Sequence, residues 1–230
     1  MLHPRRDDGT PSLTMLALGA HCDDLEIGAG GTLARIVADV PGVRARLVVL
    51  TSTPEREVEA RSAAAALLAP ADVDVDVHKL RDGRLPAHWD EVKSILEEVA
   101  RTEAPDVIFA PSPHDAHQDH RLIGSMVRTA FRDHLVLHYE IPKWDGDLGS
   151  SRPTHYVPLT EDGVRRKCEL LRTHFPSQHG RTWFTEETFL GLARLRGMEC
   201  RARYTEAFSV DKAVLAFASQ EADGVIPSHL

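Results

Sequence analysis

Residues 21–32 read HCDDLEIGAGGT and follow directly on the apolar run LTMLALGA of residues 13–20. The run has the length of one buried strand, and it ends on a histidine, a cysteine and two adjacent aspartates. Neighbouring carboxylates repel and are costly to desolvate, so a bare structural role is unfavourable there, whereas a bound cation offsets both costs. Outward from this point, short apolar or β-branched runs alternate with longer helix-like ones. They are LARIVADV (33–40), RARLVVLT (44–51), EVEARSAAAALL (57–68), VDVDVHKL (73–80), WDEVKSILEEVAR (89–101) and DVIFAP (106–111). This alternation predicts an α/β fold, a Rossmann-like and mostly parallel sheet with helices on both faces and right-handed crossovers. Ligands of such sheets bind at the carboxyl ends of strands, which directs attention to residues 21–24, 51–56 and 111–120. Beyond LVLHYEIP (135–142) the pattern weakens into a loop and an extended piece, followed by helical GVRRKCELLRTH (163–174) and ETFLGLARLRG (187–197).

With 230 residues, 42% of them hydrophobic, the chain suits a single domain, expected over residues 13–230. Residues 1–12, MLHPRRDDGTPS, have no apolar core of a signal peptide and are expected to be a disordered start. The net charge of −8, with acidic and basic residues interleaved, argues against a nucleic-acid partner. No apolar run reaches the roughly 20 residues of a membrane span, so no membrane partner is expected. Three cysteines without a paired framework favour a reducing compartment, and the cytoplasm is the expected location.

A second polar cluster, PSPHDAHQDHR (111–121), follows the apolar DVIFA and carries His114, His117 and His120 with Asp115 and Asp119 between them. His117 and His120 stand three apart and share a face if RLIGSMVRTAF (121–131) is helical; His21 and Asp24 have the same spacing. Two imidazoles and one carboxylate from neighbouring strand ends make a three-ligand set with an open position, the arrangement of catalytic zinc, whereas structural zinc is closed by four ligands that usually include thiolates. Gly28, Gly30 and Gly31 lack the full dinucleotide spacing and read as close packing of a helix start. Cys22 reads as a small buried residue and His114 as a solvated one.

HCDD followed by GAGGT, with HQDHR about a hundred residues later, resembles the LmbE-like or PIG-L group of zinc-dependent N-acetylglucosaminyl deacetylases. The resemblance extends through TSTPER, HYEIP, KCELLRTHFPSQ and YTEAF, and so spans residues 13–210. The group usually has proline where this chain has Cys22 and Gln118. The resemblance implies one Zn²⁺ per chain held by His21, Asp24 and His120, with Asp23 as general base. It further implies that His117, as imidazolium, stabilises the oxyanion or protonates the departing amine, with Asp119 fixing that ring. Arg56 is the expected grip on a sugar hydroxyl or phosphate, with Arg61 one turn away as its competitor. Lys143, Trp144 and Asp145 suit a sugar face and its hydroxyls, or else form a capping loop. His174 and Gln178 fall in a segment near the cleft without an assigned role.

The implied reaction removes the N-acetyl group from an N-acetylglucosamine-containing conjugate, a nucleotide sugar or a glycosylated natural-product intermediate. Its partner is then a small N-acetylated sugar, and self-association into a homo-oligomer stays open. Two other readings stand beside it: a metal-dependent amidase of a thiol precursor or another acylated amine, and a nucleotide-binding module without chemistry.

Overall fold

The computed structural model describes residues 13–142 and 152–213. Strands and helices alternate through β1 (Thr14–Gly19), α1 (Asp24–Asp39), β2 (Arg44–Thr51), α2 (Pro54–Leu68), β3 (Asp72–Leu80), α3 (Trp89–Thr102), β4 (Val107–Pro111), α4 (Gln118–Ala130) and β5 (Leu135–Tyr139). Then come β6 (His155–Leu159), α5 (Glu161–His174), α6 (Glu186–Glu199) and β7 (Tyr204–Val210). The sheet has seven strands in the order β3-β2-β1-β4-β5-β7-β6. The first five are mutually parallel, and β7 runs antiparallel to both its neighbours.

The sequence pattern anticipates these elements as far as α6 and misses β7. That strand pairs only with distant partners, and its third residue is Glu206, a buried carboxylate that interrupts the apolar signal. Glu206 accepts the N–H groups of Gly31 and Thr32 at 2.9 and 2.6 Å and pairs with the buried Lys167 at 2.6 Å, whose ammonium also donates to the carbonyl of Ile27. A buried ion pair is tolerated here because backbone groups of α1 use up its remaining hydrogen-bonding capacity.

Strand β1 alternates between two cores. Met15 and Ala17 pack with α1, α2 and α5, while Leu16 and Leu18 face α3 and α4. Both faces are covered, which is why LTMLALGA is apolar throughout. The exposed edge strand β3 instead carries Asp72, Asp74 and Asp76, charges that discourage pairing with another sheet. The chain leaves β1 towards β2 by way of α1 on one face and returns to β4 by way of α3 on the other. The connections therefore diverge between β1 and β4, and the crevice outside their carboxyl ends is the topological switch point.

Helix α1 lies close on the sheet because of Gly28: a Cβ there would overlap the ring of Tyr139, whose hydroxyl donates to the carbonyl of Leu18 at 2.7 Å. Gly124 gives α4 a similar approach to the β4–α4 loop. A Cβ at Gly124 would sit 2.6 Å from both the carbonyl oxygen of Pro111 and the nitrogen of Pro113, backbone atoms that cannot rotate away. We expect Gly124→Ala to lose about 1–3 kcal/mol of stability, read as a lower denaturant midpoint at unchanged m-value. Gly191→Ala, with nothing within 4 Å, should be neutral or gain up to about 1 kcal/mol from helix propensity.

Candidate active site

The turn from β1 into α1 is closed by Asp24, whose Oδ2 accepts the backbone N–H groups of Ala20 and His21 at 2.9 Å each. The same oxygen lies 3.4 Å from His21 Nδ1 and 3.2 Å from His120 Nε2, and the two ring nitrogens are 3.1 Å apart. Ligands about 2.0–2.1 Å from a tetrahedral zinc are spaced by about 3.3 Å, so the triangle has the dimensions such an ion requires. The outer nitrogen of each ring meets carboxylate. His120 Nδ1 is 3.0 Å from Asp115 Oδ2, and His21 Nε2 is 3.0 Å from Asp82 Oδ1 and 3.6 Å from Asp119 Oδ2. Carboxylates beside the outer nitrogens are the usual support of metal-binding histidines.

Electrostatics points the same way. Burial by itself would strip charge from both imidazoles, yet Asp24 and the other carboxylates outweigh it and hold the pKa of His21 well above, and that of His120 above, the ordinary histidine value. Against its own desolvation, the two rings hold Asp24 well below the usual carboxylate range. The cluster is built around positive charge. His117 adds a third, looser imidazole, with ligand-type nitrogens of His21, His117 and His120 within 4.8 Å of one another.

On the β4 side, Asp115 does two jobs: its Oδ1 accepts the N–H of His117 at 2.7 Å while Oδ2 orients His120. His117 caps α4, its Nδ1 accepting the N–H of Asp119 at 3.2 Å. In this arrangement Nδ1 is turned to the backbone of α4. The Asp119 carboxylate accepts the N–H groups of Gly83 at 2.7 Å and Leu85 at 3.0 Å, faces His21, and lies within 4.8 Å of a ring nitrogen of His117. Gln118 Nε2 donates to the carbonyl of Gly83 at 3.1 Å. Together these contacts latch the loop after β3 to α4 and set Asp82 beside His21.

Asp23 begins α1 without using its side chain as a cap, and its Oδ1 lies 2.7 Å from Arg56 Nη2. Arg56 sits in the first turn of α2, where its N–H donates to the capping Thr53 hydroxyl. Arg61 is committed to Glu57 and the carbonyl of Val75, which removes it as a competitor. Cys22 Sγ lies 3.6 Å from the carbonyl oxygen of Thr51, and burial pushes its thiol up to about 12, so it is no thiolate. A cavity of about 190 Å³ is lined by His21, Asp23, Asp24, Arg56, His117 and His120, and also by Asp82, Ile141, Pro142, Gln178, Arg181 and Trp183. Sequence reasoning missed Asp82, Arg181 and Trp183, gave Asp115 no role and left Gln178 unassigned. Asp82 follows a strand end that was not inspected, whereas nothing local marks Arg181 or Trp183. His174 is occupied with Ser62 on the surface. Lys143, Trp144 and Asp145 lie outside the described residues.

Residues 16–131, half of the chain, match the family described as GlcNAc-PI de-N-acetylase, PIG-L. The chain belongs to this family. A relative, the uncharacterized deacetylase YaiS of Escherichia coli K12, is 29% identical over 174 residues, which cover 70% of this chain and 89% of YaiS. In fold the chain is similar to the N,N'-diacetylchitobiose deacetylase of Pyrococcus horikoshii, with a TM-score of 0.65, 22% identity and coverage of 86% of this chain and 83% of that one. It is also similar to GalB, the 4-carboxy-2-hydroxymuconate hydratase of Pseudomonas putida KT2440, with a TM-score of 0.66, 16% identity and coverage of 89% and 98%.

Removing a supporting carboxylate should weaken metal binding without deleting a ligand. For Asp115→Asn we expect affinity for added zinc to fall about 10- to 100-fold, measured by competition with a chelator. His120→Ala and His21→Ala should lose stoichiometric metal altogether; a variant that keeps full zinc occupancy would remove that residue from the ligand set.

Proposed function

We propose that this chain is a zinc-dependent N-deacetylase that hydrolyses the acetamide of an N-acetylglucosamine-containing conjugate, carried on a nucleotide or a natural-product aglycone. One observation carries the reading: His21 Nδ1, His120 Nε2 and Asp24 Oδ2 converge within 3.4 Å of one another, with the second aspartate, Asp23, in the same cavity. Three protein ligands leave a position open, as catalytic zinc needs. Bound there, zinc would polarise the acetamide carbonyl and bring the pKa of a water down to about 7.

Asp23 is the general base. Arg56 occupies its Oδ1, which leaves Oδ2 to take a proton from the attacking water and return it to the amine as the C–N bond breaks. His117 donates from Nε2 to the carbonyl oxygen as negative charge gathers there. Asp119 acts as a positioning residue, through His21 and the loop that carries Asp82. Arg56 and the largely exposed Asp82 line the cavity as partners for sugar hydroxyls, and Lys143, Trp144 and Asp145 follow directly on Pro142 at its wall. Membership of the PIG-L family and the fold likeness to a chitobiose deacetylase support the substrate class. Among the described residues no helix is long and apolar enough to cross a membrane, and cysteine usage supports a cytoplasmic location.

Acetate release from N-acetylglucosamine conjugates by the zinc-loaded chain, abolished by a chelator, tests the function; another N-acylated amine as sole substrate would favour the amidase reading. Asp23→Asn should keep its zinc and lose about 10²- to 10⁴-fold in kcat. Asp24→Asn should lose zinc and partly recover activity in excess metal. The reverse pattern would exchange the two roles. Arg56→Ala should lower kcat as well as raise KM, because it strips Asp23 of its counter-charge.

A further inference from the structure

The cavity at the metal cluster is small. At about 190 Å³ it falls below the roughly 300–1,000 Å³ of a typical ligand pocket, so it encloses the acetamide end of a substrate and leaves the remainder to pass its rim. The wall contributed by residues 178–183 supplies Gln178, Arg181 and Trp183. This segment is firmly built. Ser177 donates to the Glu59 carboxylate from both its N–H and its hydroxyl, at 2.8 and 2.6 Å. The N–H of Arg181 donates to the carbonyl of Gln178 at 2.9 Å, and that of Phe184 to the carbonyl of Arg181 at 3.1 Å. Phe184 is buried and meets Trp183 and Phe189 edge to face, with ring centroids 5.6 and 5.2 Å away.

The loop thus places Arg181, whose side chain is exposed, and the half-buried Trp183 at the edge of the cavity before any substrate arrives. Arg56 is paired with Asp23 and Arg61 with Glu57, but Arg181 has no ion pair among the described residues. The carboxylates that share this cavity, Asp23, Asp24 and Asp82, face Arg56, His21 and His120 instead. Guanidinium recognises phosphate and carboxylate through paired N–H donors, and a neighbouring indole offers a flat apolar face to a sugar ring.

We propose that Arg181 selects substrates whose sugar or aglycone carries an anionic group, phosphate or carboxylate, at the rim of this cavity. The inference rests on the deacetylase reading and adds the substrate's charge to it. Two measurements on the zinc-loaded chain test it: acetate release (kcat/KM) from N-acetylglucosamine, its 1-phosphate, its 6-phosphate and N-acetylmuramic acid, and calorimetric binding of the four corresponding free amines. At least one anionic sugar should be preferred over the neutral one by on the order of tenfold or more, the worth of a charge-assisted hydrogen bond. Arg181→Gln should bring that ratio close to one, and Arg181→Lys should restore part of it. Which anionic sugar gains tells phosphate from carboxylate. The inference is overturned if the wild-type chain binds and turns over charged and neutral sugars alike, or if its preference survives Arg181→Gln. Should no sugar release acetate, the deacetylase reading fails, and the binding ratio and its response to Arg181→Gln still decide the role of Arg181.

Discussion

One oxygen atom, Asp24 Oδ2, joins the fold to the site. It receives the N–H groups of Ala20 and His21, which turns the chain out of β1 and into α1, and it faces the inner nitrogens of His21 and His120. A carboxylate already fixed by two backbone donors cannot swing away, so its remaining capacity points in one direction at little further entropic cost. The close approach of two imidazoles, which would repel if both were charged, is offset by this anion.

From that oxygen the order spreads outward through further carboxylates. Asp115 steadies His120 and closes the turn before α4; Asp119 faces His21 and holds the loop after β3. Each acid therefore ties a ring to a backbone segment, and the rings inherit the rigidity of the sheet edges. The two positions at which the family resemblance implies proline are secured by side chains here. Gln118 clasps the carbonyl of Gly83, and the Cys22 thiol is buried within reach of the carbonyl of Thr51. Side-chain contacts to neighbouring loops replace the stiffness of a proline ring with tertiary restraint.

The sheet beneath this site does not itself determine the chemistry. A deacetylase and a hydratase share the fold with this chain at nearly the same TM-score. What a doubly wound sheet supplies is a crevice at the switch point; reaction and substrate depend on the side chains that its loops bring there.

Much was legible in the sequence because the relevant signals are local. LTMLALGA is apolar at every position since both faces of β1 are covered, and the HCDD and HQDHR segments place their polar groups within one turn of a strand end. A mostly parallel sheet with helices on both faces follows from such short-range patterns together with the general rules of parallel sheets, whereas the particular set His21, Asp24 and His120 is implied by the family resemblance. Other features depend on contacts between segments far apart in the chain. Antiparallel β7 is specified by its neighbours in space and by Glu206 reaching α1; Asp82 arrives beside His21 only because Gln118 and Asp119 latch its loop. His117 turns its Nδ1 to the backbone of α4, and Arg181 reaches the cavity on a loop anchored by Glu59 and Phe184. Periodicity and spacing record which face of an element is buried, but not which distant atom a side chain meets, and that pairing exists only once the chain has folded.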